Sequence, residues 1–428
     1  MKFRCTINSR FSFNLTGSLI AIKKKRLFIL SIVAVSLTSC CYNNSTVLLK
    51  IKVEEQVGLN RPLEYIEIIL PRVETYQEGD KIYAYSIDEG KQIGVQVIEK
   101  KKEIQIVFPI TIKENETKEY IIKVESDKNI ETHTDLNVLG EKLDVMIENK
   151  YFSASFKEFI GYKEEKLSSG HLGSISLKEF GNIILERKDP NLKMHWGPNF
   201  GKENLNYRTM AHLTSPDSCF TSTKGPYYFS LFRRGHIEGY EKIWLQGEYK
   251  FYAGLPYFVF SSEMIFTDDD SLNLLRNDEM TMDSLFTNVV FPKSNGEIID
   301  LLLYDESEMA YLDGNPITDD ASWLFFYNKS KSYAFGSIRL HYDNTNLYGG
   351  DSPIERSHTK ITSSTNSGRY WNRRLINSKN TFVPKGSKYK EKNAYIVFKA
   401  DKNDPAKTIE YFYKCLKHPV KISYEPYL

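Results

Sequence analysis

Between His195 and Glu279 the chain concentrates the residue types that proton transfer and anion binding require. His195-Trp196-Gly197-Pro198 opens the stretch, Tyr207-Arg208 and His212 follow, and Arg276-Asn277-Asp278-Glu279 closes it. His195 and His212 are candidate bases, because an imidazole titrates near neutrality. Tyr207, Tyr252 and Tyr257 can supply an acid, Arg208 or Arg276 can clamp a carboxylate, and Trp196 offers a face for a ring. Cations, aromatic faces and His or Tyr together are what a site for acidic sugars needs. The sequence pattern places Tyr207, Arg208, His212 and Tyr252 in one groove, with His212 as base and Tyr252 as acid. For either His the alternative is a hydrogen-bonded structural role, and Tyr249, Phe251, Phe258 and Phe260 read as strand core.

A second constellation is Gly368-Arg369-Tyr370-Trp371-Asn372-Arg373-Arg374, in a Ser/Thr/Asn-rich segment from Asp343 to Lys379 that reads as a long loop. Arg369, Trp371 and Arg373 suit an anionic sugar, by stacking and by ion pairing, or else form a solvated basic loop. Glu238, Glu248, Asp278 and Glu279 are the carboxylates that a hydrolase would pair. No cofactor is expected: there is no Cys-x-x-Cys, no His-x-x-x-His and no glycine-rich phosphate loop. Calcium on Asp268-Asp269-Asp270 is an alternative to a plain polar turn.

These residues need a scaffold, and composition says which kind. The 428 residues carry 28 Tyr and 25 Phe against 5 Cys, which points to aromatic β-sheet cores rather than disulfides. A formal charge of +2 gives no reason to expect nucleic acid as a partner. Thr46–Glu54, Leu63–Leu70, Ile104–Ile112 and Glu119–Glu125 read as strands of a small N-terminal β-domain, residues 45–130. Lys100-Lys101-Lys102 reads as its solvated edge. Polar residues from Ser126 to Glu141 mark a boundary. Residues 141–428 then hold some ten strand-like runs, among them Ile237–Leu245, Tyr257–Phe266 and Tyr333–His341, which suggests a large two-sheet sandwich. A short C-terminal helix is expected, with Asp404 as N-cap, Pro405 in the first turn, and Ile409, Phe412, Tyr413 and Leu416 on one face.

The N-terminus has the order of an export signal. Lys23-Lys24-Lys25-Arg26 is basic, Leu27–Leu37 is apolar and too short to span a bilayer, and Thr38-Ser39 precede Cys40. It resembles a bacterial lipoprotein signal over residues 1–40, in which Cys40 carries the lipid. The expected location is the cell envelope, lipid-anchored, with no other membrane contact. Cys219 and Cys415 are free to pair in such a compartment, without sequence requiring it.

The segments VMIENKYFSASF (Val145–Phe156) and YKFYAGLPYFVFSS (Tyr249–Ser262), behind a lipoprotein signal and a small β-domain, resemble the galactose-mutarotase-like β-sandwich proteins of Bacteroidota polysaccharide utilisation. In layout the chain is similar to the exo-rhamnogalacturonan lyases. That resemblance implies a mostly β protein with a central β-supersandwich, acting on uronate-containing polysaccharide or oligosaccharide by β-elimination. A glycoside hydrolase and a non-catalytic glycan-binding lipoprotein are the alternatives.

Overall fold

A computed structural model describes residues 46–71, 81–125, 132, 134–156, 159–160, 166–167, 170–185, 197–203, 205, 207–213, 220–281, 285–363 and 368–426. Cys40, His195, Trp196 and Cys219 lie outside these residues. Alternation builds the first β-region. Leu49, Ile51 and Val53 of the strand Thr46–Glu54, with Ile122 beside them in the same sheet, face Ile66, Ile68, Ile104, Ile106 and Phe108 in one apolar layer. Two sheets enclose that layer. One has five strands in the order Lys421–Pro426, Thr46–Glu54, Thr117–Glu125, Lys81–Ser86, Lys91–Gly94; the other has Arg61–Pro71, Glu103–Ile112 and Gln96–Glu99. The chain's last strand thus returns to pair antiparallel with its first, a long-range pairing with no local signal in the sequence. Lys100 to Lys102 form an exposed turn between two strands of the smaller sheet.

The larger region is organised by a nine-stranded sheet in the order Phe220–Lys224, Tyr228–Gly235, Ile243–Tyr252, Tyr257–Phe266, Lys388–Lys399, Tyr333–Asp343, Trp323–Tyr327, Asn288–Pro292, Ile298–Leu302. Its inner face, with Tyr249, Phe251, Phe258, Phe260, Phe335 and Tyr395, packs against two smaller sheets. One is a five-stranded sheet built from Asn137–Glu141, Asp144–Glu148, Phe152–Ser155, Ser174–Leu177 and Ile183–Leu185. The other is a four-stranded sheet in the order Asn199–Gly201, Asp270–Thr281, Arg369–Val383, His358–Ser363. The outer face carries Tyr228, Tyr252, Tyr257, Val259, Phe325 and Phe398, and it is covered by Val107 of the first β-region and by Ile409 of the C-terminal helix. Burial on both faces is why Tyr257 to Phe260 are consecutive aromatic or aliphatic residues rather than alternating ones. The expected mostly β architecture, with a small N-terminal β-region, a large two-sheet supersandwich and a short C-terminal helix, is the one observed.

Gln96 stitches the two regions. Its Oε1 accepts from the N–H groups of Tyr227 and Tyr228 at 3.1 and 2.8 Å, and its Nε2 donates to the Tyr228 carbonyl at 2.9 Å. Three elements depart from the sequence reading. The expected loop from Asp343 to Lys379 contains the strand His358–Ser363 and most of Arg369–Val383, because its polar residues bond within the protein rather than to water. Within Ile237–Leu245 the strand begins only at Ile243, after a turn closed by Tyr240 N–H on the Ile237 carbonyl at 2.9 Å. The C-terminal helix is Lys407–Lys417 with Ala406 as its N-cap, a few residues later than Asp404. A further helix, Glu306–Gly314, starts at Asp305, whose carboxylate accepts from Ser307 and Glu308 N–H, both at 3.0 Å. Among the described residues no helix is long and apolar enough to cross a membrane.

Candidate functional site

Two polar assemblies flank the C-terminal helix. The first is a cavity of about 310 Å³ between the strand Arg61–Pro71 and the outer face of the nine-stranded sheet. Strand parity brings its walls together. Ile66 and Ile68 turn into the first β-region, so Tyr65 and Glu67 turn out towards the large sheet. On the large sheet Tyr249 and Phe251 turn inward, so Lys250 and Tyr252 turn out to meet them. The Tyr252 hydroxyl donates to Glu67 Oε1 at 2.6 Å, and Gln105 Nε2 donates to the other oxygen, Oε2, at 3.0 Å. Tyr65 stacks on Tyr252 with ring centroids 5.5 Å apart, and its hydroxyl is fixed on the Ala253 carbonyl at 2.9 Å.

Lys250, Lys392, Tyr257 and Glu64 complete the wall. Lys250 Nζ lies 3.8 Å from Glu248 and 5.7 Å from the centre of the Tyr228 ring. Glu64 is paired with the buried Arg61 at 2.8 Å. Burial, and then the adjacent Glu67 carboxylate, push the Tyr252 phenol well above its ordinary range, so it stays protonated. Burial likewise raises Glu248, with Lys250 opposing.

The second assembly is a polar layer between the nine-stranded and four-stranded sheets, centred on Asp278. Asp278 and Glu279 stand against the single residue Asn372 in a β-bulge, and Asp278 adopts φ 40°. The bulge turns the Asp278 carboxylate onto the facing sheet. Oδ1 accepts from Ser337 at 2.8 Å, Trp371 Nε1 at 3.2 Å and the Tyr395 hydroxyl at 3.2 Å. Oδ2 accepts from Arg339 Nε at 3.0 Å and the Tyr342 hydroxyl at 3.1 Å. Arg373 grips Asp319 with two N–H groups, at 2.8 and 2.5 Å, and lies 3.9 Å from the centre of the Tyr342 ring. Arg339, Tyr342, Arg373 and Asp319 also line a second cavity of about 480 Å³.

Glu391 lies beneath this layer, accepting from Ser262 at 2.7 Å, Asn393 at 2.9 Å and the Asp278 N–H at 2.8 Å. Burial still raises it from 4.5 to about 7. A group whose pKa is higher folded than unfolded stabilises fully below the unfolded value and loses that contribution as pH rises through the folded one. Glu391→Gln abolishes the titration. The stability of the native chain relative to this variant is therefore expected to fall by about 3 kcal/mol between pH 4 and 8, from 1.36 kcal/mol per pKa unit. Urea unfolding across that range checks it, and a pH-independent difference contradicts it.

The structure separates the residues expected in one groove. Tyr252 and Tyr257 line the first cavity. His212 ends the short 3-10 segment Met210–His212, where its Nδ1 accepts from Thr209 N–H at 3.0 Å to complete a capping box. That segment packs on the inner face of the nine-stranded sheet, since a Cβ on Gly247 would fall 2.3 Å from the Met210 methyl. Gly247 and Tyr252 have opposite parity on one strand, so the sheet lies between His212 and Tyr252. Tyr207 is 38% exposed, and Arg208 exchanges backbone hydrogen bonds with Phe200 at 2.8 and 3.0 Å. Neither lines the Tyr252 cavity.

Arg276 pairs across to Asn377 at 3.1 Å, and Arg369 donates to the Leu303 carbonyl at 2.8 Å beside the Tyr304 ring. Trp371 and Arg373 are 0% and 1% exposed, so neither belongs to a solvated loop; Arg373 reaches only the second cavity. Glu279 holds Asn199, and Glu238 is exposed. Asp268 and Asp269 are exposed at a turn, and among the described residues no group of three His, Cys, Asp or Glu is placed to hold a metal ion. Cys415 carries a free thiol. Glu67, Lys392, Asp319, Arg339 and Glu391 were not singled out from sequence. For Arg339 and Glu391 a signal existed: each is a charge at the core parity of a strand whose neighbours are buried.

No protein-family model matches the chain, and no curated protein matches it in sequence. Among solved structures, a protein in glycosyl hydrolase family 38 from Enterococcus faecalis matches at 9% identity and TM-score 0.48, over 88% of this chain and 47% of its own. An alpha-mannosidase from Enterococcus faecalis V583 matches equally, so the chain spans less than half the length of either protein. A galactose mutarotase-like protein from Lactobacillus casei ATCC 334 matches at 10% identity and TM-score 0.35, over 61% of this chain and 100% of its own. Likeness at this level assigns the chain neither an activity nor a substrate.

Proposed function

We propose that the cavity at Tyr252 binds a uronate-containing sugar and carries out β-elimination. One observation supports this above the others: a protonated Tyr252 is hydrogen-bonded at 2.6 Å to Glu67, in an aromatic cavity that Lys250 and Lys392 also line. Elimination needs a cation at the uronate carboxylate, a base for the proton on the adjacent carbon, and an acid for the departing oxygen. Lys250 and Lys392 supply the first. Glu67, which lines this cavity where His212 does not, takes the role of base, and Tyr252 that of acid. As the carbon–proton bond breaks towards Glu67, its electron pair forms the double bond. The glycosidic carbon–oxygen bond breaks and its oxygen takes the Tyr252 proton. The hydrogen bond between the two side chains then returns the proton from Glu67 to the tyrosinate, which restores both groups.

A panel of uronate-containing oligosaccharides incubated with purified protein tests the reading. An unsaturated, ultraviolet-absorbing product is the expected result. New reducing ends without unsaturation would instead favour hydrolysis, in which the raised Glu248 acts as acid. Binding with no product at all would leave only glycan recognition.

A further inference from the structure

Leu340 is shared by both cavities, and the C-terminal helix borders both: Cys415 and Leu416 line the first, Tyr413 and Lys417 the second. The ridge between them is held by Lys417 Nζ on the Leu340 carbonyl at 3.5 Å. We infer that the second cavity, lined by Asp319, Arg339, Asn344, Arg373 and Tyr413, is a binding site for a neutral sugar unit, adjacent to the Tyr252 cavity and serving the same glycan. The last part of that inference rests on the function proposed above.

Charge accounts for the neutral ligand. Among the described residues Arg339, Arg373 and Lys417 are the cations that line the cavity; Asp319 and Asp320 line it too, and Asp278 and Glu391 lie beneath, Glu391 with its acidity weakened by burial. Positive charge is not in excess. The two arginines are already committed, Arg339 to Asp278 at 3.0 Å and Arg373 to Asp319 at 2.5 Å, with both guanidinium side chains almost wholly buried. An anion arriving here finds no unpaired guanidinium, and dislodging either pair would leave a buried charge exposed to no counter-ion. A hydroxyl-rich neutral ring asks for something else: fixed donors and acceptors side by side, and one flat face. The paired arginines and aspartates are immobile groups of this kind. Asn344 adds a side-chain amide to the cavity wall, a group that can both donate to and accept from a hydroxyl. Tyr413, half-buried at the mouth, supplies a ring face. The Tyr342 face cannot serve in the same way, since Arg373 occupies it at 3.9 Å.

The full chain is titrated with neutral methyl glycosides and, separately, with methyl uronates, followed by ligand-observed NMR. Neutral glycosides are expected to bind and to be weakened about tenfold by Asn344→Ala and by Tyr413→Ala, the worth of one hydrogen bond or one stacking face. Tyr413→Phe, which keeps the ring, restores most of the binding. Tyr252→Phe leaves it unchanged, so this arm does not depend on the proposed reaction. Loss of neutral binding in Tyr413→Phe as well as Tyr413→Ala, or neutral binding indifferent to both Asn344→Ala and Tyr413→Ala, overturns the site. So does a preference for uronates that these substitutions abolish.

Substrate length supplies the second arm. Oligosaccharides long enough to cover both cavities are expected to show a lower KM than the shortest active substrate, and Asn344→Ala erases that advantage with kcat on the shortest substrate unchanged. If the advantage persists in Asn344→Ala, the shared-glycan part fails while the elimination stands. If no product forms with any substrate, the elimination fails while the neutral-sugar site is still decided by the NMR titration.

Discussion

Tyr252→Phe is expected to lower turnover of a uronate substrate by about 10²- to 10⁴-fold, the range for loss of a positioned general acid. KM should change little, because the lysines that hold the carboxylate and the ring of residue 252 remain. The prediction follows from what the hydroxyl does. It donates to Glu67 at 2.6 Å, so its proton is already aligned on the carboxylate proposed as the base, whereas the Tyr65 hydroxyl is turned onto a backbone carbonyl. Without it the departing oxygen loses the proton aligned beside the base, and Glu67 loses the partner through which to discharge the proton it has taken. Folding should survive the change. Glu67 is only half-buried and keeps its bond from Gln105 at 3.0 Å, so the stability cost is about 1–3 kcal/mol, that of one hydrogen bond to a charged acceptor. Thermal unfolding beside steady-state kinetics checks both halves. A folded variant that forms product at the native rate would remove Tyr252 from the reaction.

What was legible in the sequence was whatever a strand encodes within itself, by alternation or by an unbroken apolar run. Thr46–Glu54 and Tyr257–Phe266 are observed with the expected boundaries, because each carries its burial pattern within its own residues. Parity also turned Tyr252 away from Tyr249 and Phe251. What Tyr252 would meet there was not legible, since Glu67 lies 185 residues away on a strand of another sheet. His212 stands apart from Tyr252 for a local reason: its Nδ1 closes a capping box on Thr209 three residues before it, which holds it on the inner side of the sheet. The segment from Arg369 to Arg374 inverted the usual code. Trp371 and Arg373 are interior residues of a fifteen-residue strand, yet their neighbours are Asn and Arg because the layer they enter is built of ion pairs. Hydrophobic periodicity cannot detect a strand whose inward face is charged.

That inverted layer supports the largest stability effect expected in the molecule. Asp278→Ala should destabilise the fold by about 3–5 kcal/mol, as the loss of one partner of a buried ion pair does. Asp278 is wholly buried and receives Ser337, Trp371 and Tyr395 on one oxygen and Arg339 and Tyr342 on the other. Truncation leaves the Arg339 guanidinium, itself buried, without its direct counter-charge, and four further donors lose their acceptor. Asp278→Asn separates charge from shape. The amide fills the same volume and tolerates the positive φ of the bulge, so it should retain part of the network and lie between Ala and the native residue. The double substitution Asp278→Ala with Arg339→Met goes further. If the penalty comes from an orphaned charge, the double variant is more stable than Asp278→Ala alone, since it removes the charge together with its partner. Urea unfolding of the three variants measures this order. Additive costs in the double variant, or a loss below about 1 kcal/mol in Asp278→Ala, would mean that the layer is held by packing around Trp371 and Phe335 rather than by the Asp278 carboxylate.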